Sequence, residues 1–312
     1  MPDQISLFPE YSSFFENSAG HALAENAHGR NSLDDFFSRT AAFDNDDAYF
    51  RLLQFISGFP GYSPLNAYLI FVQKPGSTYV CTAYQWLNKF VRRVNPDAGP
   101  ILILAPGAGV QFVYDVSDTY GKALPEGLFD PPHTKGKISQ RLWRNMVENC
   151  ARDLIRVYET DSDVTDTGVV RVLDKFEPVQ ISEDEIYAAL YAIAVNRRHS
   201  VTEKYAALVY ALAHLYCGHI GADKTAWWTN RRDRVTTESQ REVEAESISY
   251  LVCRRKKIKP PVTRFLTDRP NQGPDRSGCS LDVVLRVAGH IEGMGRRVVK
   301  KRRKKPVRVR SG

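Results

Sequence analysis

The sequence predicts an α+β protein: a small mixed N-terminal domain, then a mostly helical domain, then a disordered basic C-terminal tail. Three observations predict it. Short β-prone runs bounded by Gly and Pro lie between Thr78 and Val116. Helical apolar spacing with cap signals dominates after Lys137. The segment from Arg296 to Gly312 holds ten Lys/Arg and no acid. The expected boundaries are a flexible acidic segment at 1–34, a first domain at 35–125, a second at 137–268, a C-terminal helix region at 269–295 and the tail at 296–312.

The elements follow in order. Leu33 to Phe55 has helical spacing of apolar residues, broken near Asp44-Asn-Asp-Asp, and Ser57-Gly-Phe-Pro-Gly-Tyr is a turn. Ser63-Pro64 supplies an N-cap and an N1 proline for a helix over Leu65–Gln73. Thr78–Thr82 is a short strand and Ala83–Phe90 a short helix. Pro100–Ala105 and Val110–Val116 are strands joined by a turn at Gly107–Gly109. Asp118–His133 is a loop. Lys137–Tyr158 predicts a helix, and Val169–Val179 one or two short strands. Ser182 with Glu185 three residues on predicts a capped helix over Glu183–Tyr191. Ile193–Asn196 is a short strand or turn. Ser200 with Glu203 opens a helix over Val201–Cys217 that ends at Gly218. Helices over Thr236–Arg255 and Ser280–Gly293 complete the chain.

Composition narrows the function classes. With 43% hydrophobic and 25% charged residues, the chain reads as soluble and globular. It has no apolar run near the roughly 20 residues that span a bilayer, and no signal peptide, so no membrane partner is expected. Five scattered cysteines without a CxxC pair argue against a disulfide framework or a Cys-rich zinc site and for a reducing cytoplasm. The net charge of +7 hides an asymmetry, because removing the ten charges of the tail leaves 7 − 10 = −3. The first 50 residues hold nine acids and two bases. An acidic head and a basic tail therefore flank a mildly basic body.

The most informative stretch is Tyr210-Ala-Leu-Ala-His214-Leu-Tyr-Cys-Gly-His219. A zinc-peptidase helix reads H-E-x-x-H: two His four apart face one metal, and the Glu activates the bound water. In that register Tyr210 stands for the first His, Ala211 for the Glu, and only His214 remains. Downstream, Glu242 and Glu246 are four apart and share a helix face, whereas Glu244 points elsewhere. Two readings of these residues stay open. In one, His219, His214 and Glu242 or Glu246 hold a metal in altered geometry. In the other, His214 is a hydrogen-bonded core histidine and His219 a capping residue.

The run Ala207-Leu-Val-Tyr-Ala-Leu-Ala-His-Leu-Tyr-Cys-Gly-His-Ile-Gly resembles the H-E-L-A-H-x-x-C-G-H-L-G helix of ImmA/IrrE-type zinc metallopeptidases. Glu242-Val-Glu-Ala-Glu-Ser-Ile-Ser-Tyr-Leu-Val-Cys is similar to their glutamate helix. Upstream, Tyr62-Ser-Pro-Leu-Asn66, Gln73-Lys-Pro75, Thr82-Ala-Tyr-Gln-Trp86 and Val113–Thr119 resemble the single-stranded-DNA-binding N-terminal domain of ArdC-like antirestriction proteins. The resemblance covers roughly residues 35–268. It implies a zincin-like second domain with Tyr210, His214 and Glu242 at the ligand positions and Ala211 at the general-base position. Tyr is a poor zinc ligand unless ionised, at an ordinary pKa of about 10, and Ala cannot take a proton. No cofactor is expected on that account, although zinc could be held by the substitutes.

Nucleic acid is the expected partner. Aromatics (Tyr62, Tyr68, Tyr84, Trp86, Phe90) lie among cations (Lys74, Lys89, Arg92, Arg93), with Asn66 as a polar donor. Lys300, Lys301, Arg302, Arg303, Lys304 and Lys305 form the centre of a polycation that attracts any polyanion without sequence preference. The leading expectation is a nucleic-acid-associated pseudoenzyme on a peptidase-like scaffold, with the resemblance implying mobile-element or antirestriction biology. The alternatives are an active zinc peptidase with a rearranged site that cleaves a regulatory protein, and a cleft that binds a peptide or protein without cutting it.

Overall fold

The computed structural model describes residues 46–105, 109–126, 135–161, 167–173, 177–182, 185–220, 236–262, 264 and 279–296. The expected acidic segment and the tail from 297 onward lie outside the described residues. The architecture is mixed α and β, as the sequence predicts, and the chain divides into two units, 1–132 and 133–312.

In the first unit α1 (Asp46–Ser57) and α2 (Pro64–Gln73) precede β1 (Val80–Cys81), α3 (Ala83–Phe90), β2 (Arg92–Val94), β3 (Ile101–Ala105), β4 (Gly109–Asp115) and β5 (Thr119–Gly121). Ser63 caps α2 by accepting from the Asn66 amide, and Pro64 takes the first turn, where its missing N–H costs nothing. Thr82 caps α3 in a reciprocal capping box with Gln85. β4 pairs antiparallel with both β1 and β3. β2 and β5 form a separate antiparallel ribbon, with Arg93 opposite Tyr120. The core holds Leu52, Leu53 and Ile56 of α1, Ala67, Tyr68 and Ile70 of α2, and Ile101, Ile103 and Val113 of the sheet.

Helix α2 does more than cover this core, because two of its amide side chains dock on the outer edge of β3. Asn66 Nδ2 donates to Leu104 O at 2.9 Å and Asn66 Oδ1 accepts from Leu104 N at 3.0 Å. Gln73 repeats the arrangement on Leu102, at 2.8 and 2.9 Å. Both amides mimic a neighbouring strand and satisfy groups that would otherwise template pairing with another chain.

The second unit contains α4 (Gln140–Arg152), β6 (Ile155–Thr160), β7 (Val169–Val172), β8 (Pro178–Ser182), β9 (Glu185–Ala188), β10 (Tyr191–Asn196), α5 (Val201–Tyr216), α6 (Glu238–Arg255) and α7 (Leu281–Arg296). β10 is central, parallel to β6 and antiparallel to β7. Its residues Tyr191 to Val195 are buried, which fits a continuous apolar run covered on both faces.

Two expected helices are corrected. The helix expected over Lys137–Tyr158 stops at Arg152, because Leu154 turns left-handed at φ 60° and the alternating Ile-Arg-Val-Tyr run pairs with β10 instead. The helix expected over Glu183–Tyr191 is absent among the described residues. β8 and β9 form a hairpin there, in which Ser182 and Glu185, read as a capping box, are register partners. Tertiary pairing outweighs a local cap signal.

Helix α5 opens on the expected Ser200–Glu203 capping box. It is buried on almost every side, from Tyr205 through Ala213 and again at Leu215 and Tyr216. Helix α6, capped by Thr237 with Gln240, packs on α5, and α7 packs on α6. Full burial of one such leucine is worth about 1.5–3 kcal/mol, so α5 is held by packing rather than by propensity.

Candidate functional site at the end of helix α5

The C-terminus of α5 is built as a Schellman motif. Gly218 adopts φ 77°, and its amide donates to Leu215 O. The His219 amide then reaches back to His214 O at 3.0 Å. This turn places the His219 ring beside the last turn of α5. The two imidazoles meet Nδ1 to Nδ1 at 3.0 Å, with ring centroids 5.1 Å apart in an edge-to-face arrangement. His219 is therefore both a helix-capping residue and a partner of His214.

Helix α6 supplies the acids. Glu242 accepts a hydrogen bond from the Tyr210 hydroxyl on Oε2, and its Oε1 lies 3.7 Å from His214 Nε2. Tyr210, His214 and Glu242 thus converge. Glu244, expected to point elsewhere, is fully buried and holds His219 Nε2 at 3.0 Å, while its Oε1 accepts the Ser280 amide at 2.8 Å. The reason is that α6 lies between α5 and α7, so its faces meet protein rather than water. Glu246 is also fully buried, close enough to Tyr210 for its charge to act on that hydroxyl.

Electrostatics follow from this enclosure. Burial, the hydrogen bond to Glu242 and the charges of Glu242 and Glu246 push the Tyr210 hydroxyl well above its ordinary value. It stays a neutral donor, the opposite of what a phenolate metal ligand requires. Burial first, then His219 and Arg241, pushes the His214 imidazole down to about 4. Ala211, at 2% exposure, offers no proton acceptor. At the positions that the resemblance assigns to a zinc ligand and a base, the residues present do not fit a catalytic zinc, since Tyr210 is a protonated phenol and Ala211 carries only a methyl group. A different donor set does assemble, since Cys217, His219 and Glu244 present ligand atoms within 4.8 Å of one another. Sequence reasoning missed Glu244 and Cys217. The only available signal was the flanking of a C′ glycine by Cys and His.

The nominated nucleic-acid residues divide. Trp86 is fully buried with its indole N–H on Tyr114 O at 2.9 Å, so it serves the small core of Cys81 and Phe90 and cannot stack on a base. Asn66 is bound to β3. The Tyr62 hydroxyl donates to Val80 O at 2.7 Å, and Lys74 pairs with Asp118 at 2.6 Å. Arg92 donates to Thr119 and to Lys122 O. Lys89 and Arg93 are exposed, and so are Tyr84 at 77% and Tyr120 at 50%. Sequence reasoning missed Tyr120, which faces Arg93 across the β2–β5 ribbon. The basic residues from Lys300 to Lys305 lie outside the described residues. No helix among the described residues is long and apolar enough to cross a membrane.

Fold and site define an α+β protein with a helix-embedded Tyr-His-His cluster faced by glutamates. No family model and no curated protein matches the chain. Among solved structures, the metal-free crystal structure of the antirestriction ArdC protein from the R388 plasmid is similar over 75% of this chain and 81% of that chain. The identity is 14% and the TM-score 0.33.

Proposed function

We propose that the protein is a nucleic-acid-associated protein whose second unit keeps an ImmA/IrrE-like zinc-peptidase scaffold without the hydrolytic step. The observation that carries this reading is the Tyr210 hydroxyl donating to Glu242, with Ala211 beside it. A neutral donor stands at the first ligand position and a methyl group at the general-base position, so the pair that activates water in H-E-x-x-H is not in place. The nucleic-acid half is supported by the exposed pairing of Arg93 with Tyr120 and by Tyr84 and Lys89 nearby in sequence. Aromatic faces among cations suit single-stranded DNA, whose bases stack while its phosphates pair. The basic segment from Arg296 to Gly312 adds non-specific attraction, and mobile-element or antirestriction biology is the setting that the resemblance implies.

Binding of a labelled single-stranded oligonucleotide tests this, using the full chain and a chain ending at Arg296. Both should bind at moderate salt, with the shorter form weaker and Arg93→Glu impaired in either. Failure of both forms to bind would remove the nucleic-acid reading.

A further inference from the structure

We propose that Cys217, His219 and Glu244 form a buried metal site for zinc or a similar divalent ion, distinct from the Tyr210–Glu242 position and going beyond the nucleic-acid reading. The thiol sulfur, an imidazole nitrogen and a carboxylate oxygen already lie within 4.8 Å of one another. Bond lengths of about 2.0–2.3 Å to zinc place tetrahedral donors roughly 3.3–3.8 Å apart, so the set needs only side-chain adjustments. Nitrogen, sulfur and oxygen together form a mixed borderline-soft set that suits zinc, with a fourth position left for water.

Local structure explains why these residues meet. The left-handed Gly218 turns the chain so that Cys217 and His219, two residues apart, can both serve one point. Helix α6 delivers Glu244 into the same enclosure, where it is fully buried with Oε1 fixed by the Ser280 amide. A buried carboxylate is costly unless it is paired or coordinates a cation, and its Oε2 is turned to His219.

A second observation points the same way. Histidines that bind metals usually direct the other ring N–H to a hydrogen-bond partner, which fixes the tautomer. With Nε2 on the metal, His219 carries its proton on Nδ1 and donates it to His214 Nδ1, 3.0 Å away. His214 is then neutral with its own proton on Nε2, on the side of Glu242. His214 is thus a positioning residue for this site.

Cobalt(II) titration of the metal-stripped, reduced full chain tests the proposal. We expect one cobalt per chain with a thiolate-to-cobalt charge-transfer band. Cys217→Ser removes the band, and Cys253→Ser, which alters a buried thiol elsewhere on α6, keeps it. Glu244→Gln weakens binding more than tenfold. His214→Ala keeps the band and weakens binding by about 10- to 100-fold, the range expected for an outer-shell partner. Absence of the band in the unsubstituted protein overturns the site, as does a band that survives Cys217→Ser. Cobalt uptake lost in Glu242→Gln but intact in Cys217→Ser overturns it too, because the ion would then sit at the Tyr210 position. Oligonucleotide binding is measured separately, so either proposal can fail while the other stands.

Discussion

His214 and His219 are joined twice, through the His219 amide on His214 O at 3.0 Å and through their Nδ1 atoms at 3.0 Å. Two nitrogens at that distance share one proton, so the tautomer of each ring sets that of the other. The backbone half of the link depends on Gly218 at φ 77°. Gly218→Ala should therefore cost about 1–2 kcal/mol of stability, the penalty of a left-handed residue with a Cβ. Urea unfolding of both proteins measures it, and an unchanged midpoint would mean that the turn tolerates a side chain.

The hydrogen bond that the Tyr210 hydroxyl donates to Glu242 can be removed cleanly. Tyr210→Phe should destabilise by about 1–2 kcal/mol, since a half-buried carboxylate oxygen loses its donor. The converse substitution is more telling. Tyr210→His combined with Ala211→Glu rebuilds H-E-x-x-H opposite Glu242. It should gain a zinc equivalent, counted by metal analysis, that Cys217→Ser does not remove.

Much of the site was legible in the sequence because its geometry is helical and local. Ser200, Glu203 and Gly218 announced the limits of α5, and the spacing of Tyr210 and His214 put both on one face. Spacing on α6 left Glu242 and Glu246 open, and the family resemblance singled out Glu242, which the Tyr210 hydroxyl meets. What was not legible depends on tertiary surroundings. Glu244 lies off the Glu242 face, and the turn after α5 together with the start of α7 makes that side an interior. Trp86 and Asn66 looked available for nucleic acid because a sequence records residue type and not the neighbouring strand that consumes it. The β8–β9 hairpin carries a helix signal in its sequence because a capping-box pair and a hairpin pair bring the same two residues, Ser182 and Glu185, together.

The sealing of β3 by α2 predicts an association phenotype. Asn66→Ala removes two side-chain hydrogen bonds from the Leu104 N–H and C=O and should cost about 2–3 kcal/mol. Gln73 is exposed, so Gln73→Ala should cost less yet open the Leu102 edge. Self-association that rises with concentration in light scattering is expected for Gln73→Ala, because an unpaired edge templates pairing between chains.

Val91 ends α3 in the left-handed region at φ 54°, where a β-branched residue is out of place, and its side chain is 61% exposed. Val91→Gly should raise the thermal midpoint, with about 1 kcal/mol gained from relieved strain after the entropy of glycine is subtracted. A midpoint that falls would show that the apolar side chain stabilises the turn.

Asp115 gives the first unit an acid-sensitive joint. Burial alone would raise its carboxyl, but hydrogen bonds from Ser117, Thr78 and Tyr79 outweigh burial and hold it below the usual aspartate range. Because the folded value is depressed, the unfolded chain takes up the proton first as pH falls. The stabilisation is complete above the ordinary aspartate pKa of about 4 and is lost as pH drops through the lower folded value. Urea midpoints should therefore decline below about pH 4, with a shallower decline in Asp115→Asn, whose amide does not titrate. At neutral pH Asp115→Ala should cost about 2–3 kcal/mol, because amides of the β1 approach and of the turn after β4 lose a charged acceptor.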